Sequence, residues 1–342
     1  MLVDGDISGD LGGGDLAGID AQVTRARQAG LDGVWTTETA HDPFLPLLLA
    51  AERAPDLTVG TAVAIAFARS PMTLAATAND LHACSGGRFV LGLGSQVEAH
   101  ITRRFSMPWS APAARMREFV LALRAIWAAW QSGERLYFRG EHYSHTLLPP
   151  LFRPGPNPYG TPPVVLGAVG PRMTRVAAEV ADGLLVHSFT TERYLREVTL
   201  PAVAEHRPSG APFTICYPGL VATGADERSY ETAVAAVRRQ LAFYGATPAY
   251  RPVLERHGWA ELHTELQRLS RRGDWDTMTG LVDDDVLGTF AVTGEPAAAG
   301  AEIARRFGDV VDRFILATPY PLDERAHRTL VAAVRRHGAG GN

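Results

Sequence analysis

One phrase recurs along the chain and restricts its fold more than any other feature. A helical stretch ends in glycine or aspartate, and a short apolar run follows at once, before Val34, Phe89, Leu184 and Phe314. Glycine and aspartate stop helices because they tolerate turn conformations and compete for backbone hydrogen bonds. An apolar run without alternation suits a strand buried on both faces. The unit is most complete from Pro162 to His187, PPVVLGAVGPRMTRVAAEVADGLLVH. Val164-Val-Leu166 reads as a strand, and Pro171 suits a first helical position because its φ is already helical. Met173, Val176, Ala177 and Val180 share one helix face while Arg172, Arg175 and Glu179 take the other. Asp182-Gly183 then ends the helix before Leu184-Leu-Val-His187.

Followed through the chain, the same rhythm places strands at Leu2-Val3, Val34 to Thr37, Leu57 to Ala66, Arg88 to Gly94, Val164 to Leu166, Leu184 to His187, Phe213 to Val221 and Asp312 to Ala317. Alternation with helices on this scale predicts a parallel sheet. With about eight units and no dominant switch point, a closed (β/α)8 TIM barrel is favoured over a doubly wound sheet. The glycines Gly12 to Gly14 lead to Asp15 as the expected cap of the first helix. Two segments break the rhythm. Residues 133–163 read as a small hairpin around Arg139-Gly140-Glu141 and a proline-rich connector; residues 245–287 are polar, arginine-rich and short-helical. Both are expected as insertions over the C-terminal mouth of one barrel domain spanning 1–342.

A chain of 342 residues with 46% hydrophobic residues can bury one large core. A net charge of −4 and a pI near 6.3 give no footprint for nucleic acid. All 33 basic residues are arginine, which reads as the bias of a GC-rich genome. Cys84 and Cys216 are too few for a disulfide framework or a thiolate metal site. His142 and His145 have a spacing that could clasp a metal but lack a third ligand, so no metal is expected. No apolar run approaches a membrane span, and acidic residues follow Met1 closely, so the expectation is a soluble cytoplasmic protein with a small-molecule substrate.

The working end of such a barrel is the mouth at the C-terminal ends of its strands. Glu38, His41, Ala62 to Ile65, Ser95 to His100, Ala168 to Arg172 and His187 all fall there. Small residues before the helix at Pro171 leave backbone N–H groups facing outward beside a positive helix end, which suits a phosphate, with Arg172 in reach. The competing reading is that Gly167 and Gly170 only tighten a turn. Gly92-Leu-Gly94 is not a dinucleotide fingerprint, because Val97 stands where the third glycine belongs.

AGLDGVW (29–35), LTVGTAVAIAFARSP (57–71), SGGRFVLGLG (85–94), RMREFVLALRAIW (115–127), YFRGEHY (137–143) and the 162–186 unit, in this order, resemble the bacterial luciferase-like superfamily of flavin- and deazaflavin-dependent oxidoreductases. The phrases ETAHDPFLPL, SQVEAHITRRFSMPW and YRPVLERHGW resemble a subgroup identified as coenzyme F420-dependent oxidoreductases. The resemblance implies a flavin-like ring in the mouth, backed by a bulge in the third strand that carries a non-proline cis peptide. The matching residues are Ala62 and Val63, with Ile65 beside them. It implies a cofactor phosphate near Ala168, Val169, Gly170 and Arg172, and places Ser95 and Gln96 toward the ring's polar edge or the phosphate chain. His41 matches a histidine that handles the substrate proton. Relatives keep an aspartate just before it; Ala40 stands here, so Glu38 or Asp42 becomes the candidate orienting carboxylate. A structural alternative has His41 capping the helix at Pro43. Glu98, His100 and His187 are candidate substrate contacts. Three functions follow from the resemblance: an F420-dependent hydride transfer, an FMN-dependent monooxygenase, or a relative that binds a flavin without turnover. Such relatives often pair as homodimers through the helices beside strands two and three.

Overall fold

The first and last strands pair with each other, Leu2 with Arg313 through Gly5 with Leu316, and this pairing closes the sheet. The computed structural model describes residues 1–7 and 16–338. The barrel strands are β1 Leu2–Asp6, β2 Gly33–Thr36, β3 Thr58–Thr61, β4 Phe89–Gly94, β5 Val164–Ala168, β6 Gly183–Val186, β7 Thr214–Ala222 and β8 Arg313–Ala317. Each is parallel to the next all the way round, giving the closed eight-stranded barrel that the alternation predicts and excluding a doubly wound sheet. The surrounding helices are α1 Ile19–Ala29, α2 Phe44–Arg53, α3 Pro71–Cys84, α4 Pro112–Ser132, α5 Pro171–Val180, α6 at 192–206, α7 Glu227–Gly245, α8 Pro296–Phe307 and α9 Glu324–Gly338. The expected cap at Asp15 lies outside the described residues.

The recurring phrase has a cross-strand cause. Asp32, Asp182 and Asp312, each just before a strand, accept the N–H of Val3 (2.8 Å), Val164 (2.8 Å) and Ile215 (2.7 Å) on the preceding strand. Each carboxylate thereby fixes register at the N-terminal rim. Gly30 ends α1 in the left-handed region at φ 81° and donates to the Ala26 and Arg27 carbonyls. Ser70 caps α3 by accepting the Thr73 N–H at 3.1 Å, with Pro71 opening the helix.

Inside the barrel, Asp4 is fully buried and accepts three hydrogen bonds: from Trp35 Nε1 (2.8 Å) and from Arg313 Nε (2.7 Å) and Nη2 (2.8 Å). Burial pushes the Asp4 carboxyl up while the Arg313 guanidinium pulls it back. A Cβ at Gly60 would lie 2.5 Å from the Trp35 ring, so glycine lets the indole cross the lumen. Val165, Leu185, Cys216 and Ile315 pack with Trp35. The N-terminal end is thus filled, and function is left to the other end.

The two excursions are anchored differently. The hairpin Phe138–Arg139 and Ser144–His145 is held to α4 by Glu118, whose carboxylate accepts the N–H groups of Glu141, His142 and Tyr143 at 2.9, 2.8 and 2.5 Å. Arg115 donates to the Tyr143 hydroxyl at 2.8 Å. The later excursion folds into the short helices Arg251–Glu255, Ala260–Ser270, Trp275–Gly280 and Asp284–Phe290, which share an apolar cluster with α7 and Phe189.

Removing one member of a buried ion pair strands the other. Asp4→Leu or Arg313→Met alone is expected to cost about 3–5 kcal/mol, while the double variant recovers most of that loss. Urea unfolding of the four proteins checks this; equal losses in single and double variants would refute it.

Candidate active site

The strand expected over Leu57 to Ala66 is split. β3 ends at Thr61, the chain bulges at Ala62-Val63, and Ala64–Ile65 resumes pairing with β4. The Ala62-Val63 peptide is cis, at the position the resemblance indicates. Two glycines make room for the bulge. A Cβ at Gly94 would sit 2.6 Å from Val63 Cγ2, and one at Gly167 would sit 3.1 Å from Val63 Cγ1. Val63 therefore lies across the exits of β4 and β5. The exit of β2 braces the bulge: Thr37 Oγ1 donates to the Ala62 carbonyl at 2.9 Å and the Glu38 N–H to the Val63 carbonyl at 3.2 Å.

Glu38 belongs to that brace. Its carboxylate is 8% exposed and accepts the Ile65 N–H at 2.7 Å and Arg69 Nη1 at 2.6 Å. Asp42 caps α2, accepting the N–H groups of Phe44 (2.8 Å) and Leu45 (3.1 Å), and also faces Arg69 at 3.4 Å. Capping of this helix is thus the work of Asp42, not His41. His41 is exposed, and among the described residues no hydrogen bond joins it to either carboxylate. Both expected orienting groups are committed to structure.

At the exit of β4, Gln96 adopts φ 59°, and its Oε1 accepts the Val97 N–H at 2.9 Å; Ser95 Oγ donates to the Gln96 carbonyl at 3.2 Å. Ser95 and Gln96 are half-buried, while Glu98 and His100 are exposed on the short helix Glu98–Arg103. At the exit of β5, Ala168 is buried, Val169 and Gly170 are half-buried, and α5 starts at Pro171 with no side-chain cap. A Cβ at Gly170 would meet nothing within 4 Å, so open space lies over the amide end of the helix. Arg172, on the first turn of α5, lines a cleft of about 710 Å³ between α4 and α5 with Arg117, Arg175 and Glu179.

At the exit of β6, the His187 ring is fixed at both nitrogens. Phe189 N–H donates to Nδ1 at 2.9 Å, so the ring proton sits on Nε2, which donates to the Tyr250 hydroxyl oxygen at 2.8 Å. Tyr250 from the later excursion and Tyr244 from the end of α7 pack on this ring, with centroids 4.3 and 4.8 Å away.

A family model for luciferase-like monooxygenases matches residues 2–313. The chain belongs to the luciferase-like monooxygenase family. An uncharacterized protein of Mycobacterium tuberculosis is 51% identical over 300 residues, covering 86% of this chain and 88% of its own. The 5,10-methylenetetrahydromethanopterin reductase of Archaeoglobus fulgidus is 27% identical over 290 residues, covering 81% and 82%. The structure of the coenzyme F420 dependent tetrahydromethanopterin reductase from Methanopyrus kandleri superposes with a TM-score of 0.79 at 21% identity, covering 98% of this chain and 99% of that one.

In this luciferase-like barrel the structure brings together the Ala62-Val63 bulge, Gly94, Gly167 and Glu38. Thr37, Arg69, Tyr244 and Tyr250 are rim residues that the sequence analysis did not single out. Arg69 and Tyr250 had a signal, since each lies within one of the family phrases; Tyr244 had none, being distant in sequence from the strand end it covers. Among the described residues no helix is long and apolar enough to cross a membrane, and no group of three metal-ligating side chains forms.

Burial pulls the His187 imidazole from its ordinary 6.5 down to about 4. A folded value below the unfolded one means stability is fully present above pH 6.5 and is lost as pH falls toward 4, where the unfolded chain binds the proton that the folded ring refuses. His327 is lowered over the same range, so it keeps its own share of the slope. His187→Gln is expected to make the acid limb of stability shallower by about one proton in urea melts taken at a series of pH values. An unchanged slope would mean that the folded ring is charged.

Proposed function

We propose that the barrel mouth binds coenzyme F420 and that the enzyme transfers hydride between this deazaflavin and a small organic substrate. The observation that carries the reading is the Val63 bulge lying over Gly94 and Gly167, which gives an apolar backing across three strand exits with an uncapped helix start, Gly170-Pro171, beside it. That pairing suits a flat ring with an anionic tail. Two relatives support the choice of cofactor: the tetrahydromethanopterin reductase of Methanopyrus kandleri is named as F420-dependent, and the reductase of Archaeoglobus fulgidus shares its pterin-reductase name.

When bound, F420 supplies a ring carbon that gives or accepts hydride. The chain's own part is to orient and to handle protons. Ala62, Val63 and Ile65 back the ring, Ser95 and Gln96 meet its polar edge, and the backbone N–H groups around Ala168, Val169 and Gly170 take the phosphate. His41, exposed at the rim with no carboxylate partner, handles the proton on the substrate. Glu98 and His100, exposed on the helix after β4, stand at the solvent side of the entrance.

A second reading, an FMN-dependent monooxygenase that uses reduced flavin and oxygen, is favoured by the family model's own description. A relative that binds flavin without turnover is the third. The assembly expected with any of them is a homodimer, for which Leu45 and Leu48 on α2, 53% and 43% exposed, offer an apolar face.

Titration with F420 and with FMN, followed by ring absorbance and fluorescence, separates the readings. F420 binding with hydride turnover is expected. Binding of FMN alone, with oxygen consumption once the flavin is reduced, favours the monooxygenase; binding without turnover favours the third reading; binding of neither removes all three. Gly170→Val is expected to weaken F420 binding about tenfold or more, since the added branches enter the space over the helix start. Unchanged affinity would displace the phosphate from this position.

A further inference from the structure

The phrase YRPVLERHGW (250–259) fastens the later excursion to the exit of β6. His257 Nε2 lies 2.8 Å from Thr191 Oγ1, Trp259 stacks on the His257 ring at 5.0 Å, and Arg256 Nε donates to Glu197 at 2.8 Å. These residues work as fasteners. Tyr250 differs because of the proton count at its hydroxyl. Its oxygen accepts the His187 Nε2 proton, and His187 Nδ1 is already engaged by the Phe189 N–H. The phenolic proton must therefore point away from His187, and among the described residues nothing receives it. Tyr244, with its ring centroid 6.0 Å from that of Tyr250, has a hydroxyl with no hydrogen-bond partner among the described residues. Asp6, at the end of β1, is close enough for its charge to bear on the Tyr244 phenol. The two rings thus lie at the β6 exit, on the side of the mouth away from the Val63 bulge at β3.

We propose that Tyr250 and Tyr244 are the hydrogen-bond donors that the mouth presents to an oxygen atom of the substrate, with His187 as the positioning residue for Tyr250. This rests on the F420 reading above and narrows the substrate to a compound that carries oxygen on the carbon exchanging hydride: an aldehyde or ketone, or the corresponding alcohol. In the reducing direction the carbonyl carbon gains hydride from reduced F420, the broken π bond leaves its electron pair on oxygen, and that oxygen takes its proton at His41. The phenols keep their own protons throughout, since burial raises both, and steady the developing charge.

The test uses the full chain and its Tyr250→Phe, Tyr244→Phe, His187→Gln and His187→Gln/Tyr250→Phe variants. F420 affinity is measured first, by fluorescence titration. Oxidation of reduced F420 by acetone, cyclohexanone, benzaldehyde and glyceraldehyde is then followed by absorbance. Expected are F420 affinities within about twofold of the parent and a fall in kcat/KM of about 10- to 100-fold for Tyr250→Phe, with a smaller fall for Tyr244→Phe. His187→Gln should add nothing once Tyr250 is phenylalanine, as expected of a residue that acts through Tyr250, and the losses should fall on kcat/KM with F420 affinity unchanged, a split that a merely structural loosening of the mouth would not produce. If F420 binds but none of these carbonyl compounds is reduced, or if Tyr250→Phe keeps parental kcat/KM, the proposal falls and the cofactor reading stands. If F420 does not bind, the cofactor reading falls and takes this proposal with it.

Discussion

Asp4 and Arg313 meet inside the barrel although 309 positions separate them, and the rest of the architecture depends on that meeting. A parallel barrel closes only if its first and last strands find one register. Here two charge-assisted bonds and the Trp35 N–H converge on one carboxylate at the closure. Slipping β8 by one residue against β1 would turn Arg313 out of the lumen and leave Asp4 buried and unpaired. The same cluster fills the N-terminal end with an indole, so water and ligand can approach only from the opposite rim.

At that rim polar side chains fall into two groups, and the division decides what each can do. Glu38, Arg69, Asp42, Glu118 and Arg115 are spent on the frame, on backbone groups and on side chains that brace them: they hold the β3 bulge, the start of α2 and the 138–145 hairpin. Their hydrogen-bonding capacity is consumed by groups that would otherwise be buried without partners. His41, the helix start at Gly170, and the phenols of Tyr244 and Tyr250 have capacity left over. A ligand can be recognised only by capacity of the second kind, while the first kind keeps it in place.

The barrel was legible in the sequence because each helix stop and each apolar run is a local signal, repeated often enough to count. The bulge at Ala62-Val63 was legible only through resemblance; by pattern alone, LTVGTAVAIA reads as one unbroken strand. Glu38 and Arg172 show the limit in opposite ways. Each sits where a site residue belongs along the chain, but a side chain's surroundings are set by neighbours from distant segments: Ile65 and Arg69 draw Glu38 inward, and Arg172 lines a cleft shared with Arg117. Tyr250 lies 63 positions from His187, and no spacing rule connects them.

The absence of lysine also gains a physical reading beyond base composition. Helix C-termini leave carbonyls without intrahelical donors, and in a barrel of this kind they gather at the N-terminal rim of the strands. Arg88 donates to the Ala51 and Ala54 carbonyls at the end of α2 and also to that of Leu57. Arg207 donates to Ala178 and Ala181 at the end of α5, where Arg124 serves Val180. Near the opposite rim, Arg306 does the same for Gly288 and Ala291 at the end of the helix Asp284–Phe290. One planar guanidinium can reach two or three such oxygens at once, because its five donors diverge in a fixed fork. An ammonium on a flexible stem concentrates its donors at a single point and does not span them as well. A chain built with arginine alone can therefore stop its helices abruptly and start the next strand within a few residues, which is the rhythm from which the barrel is made.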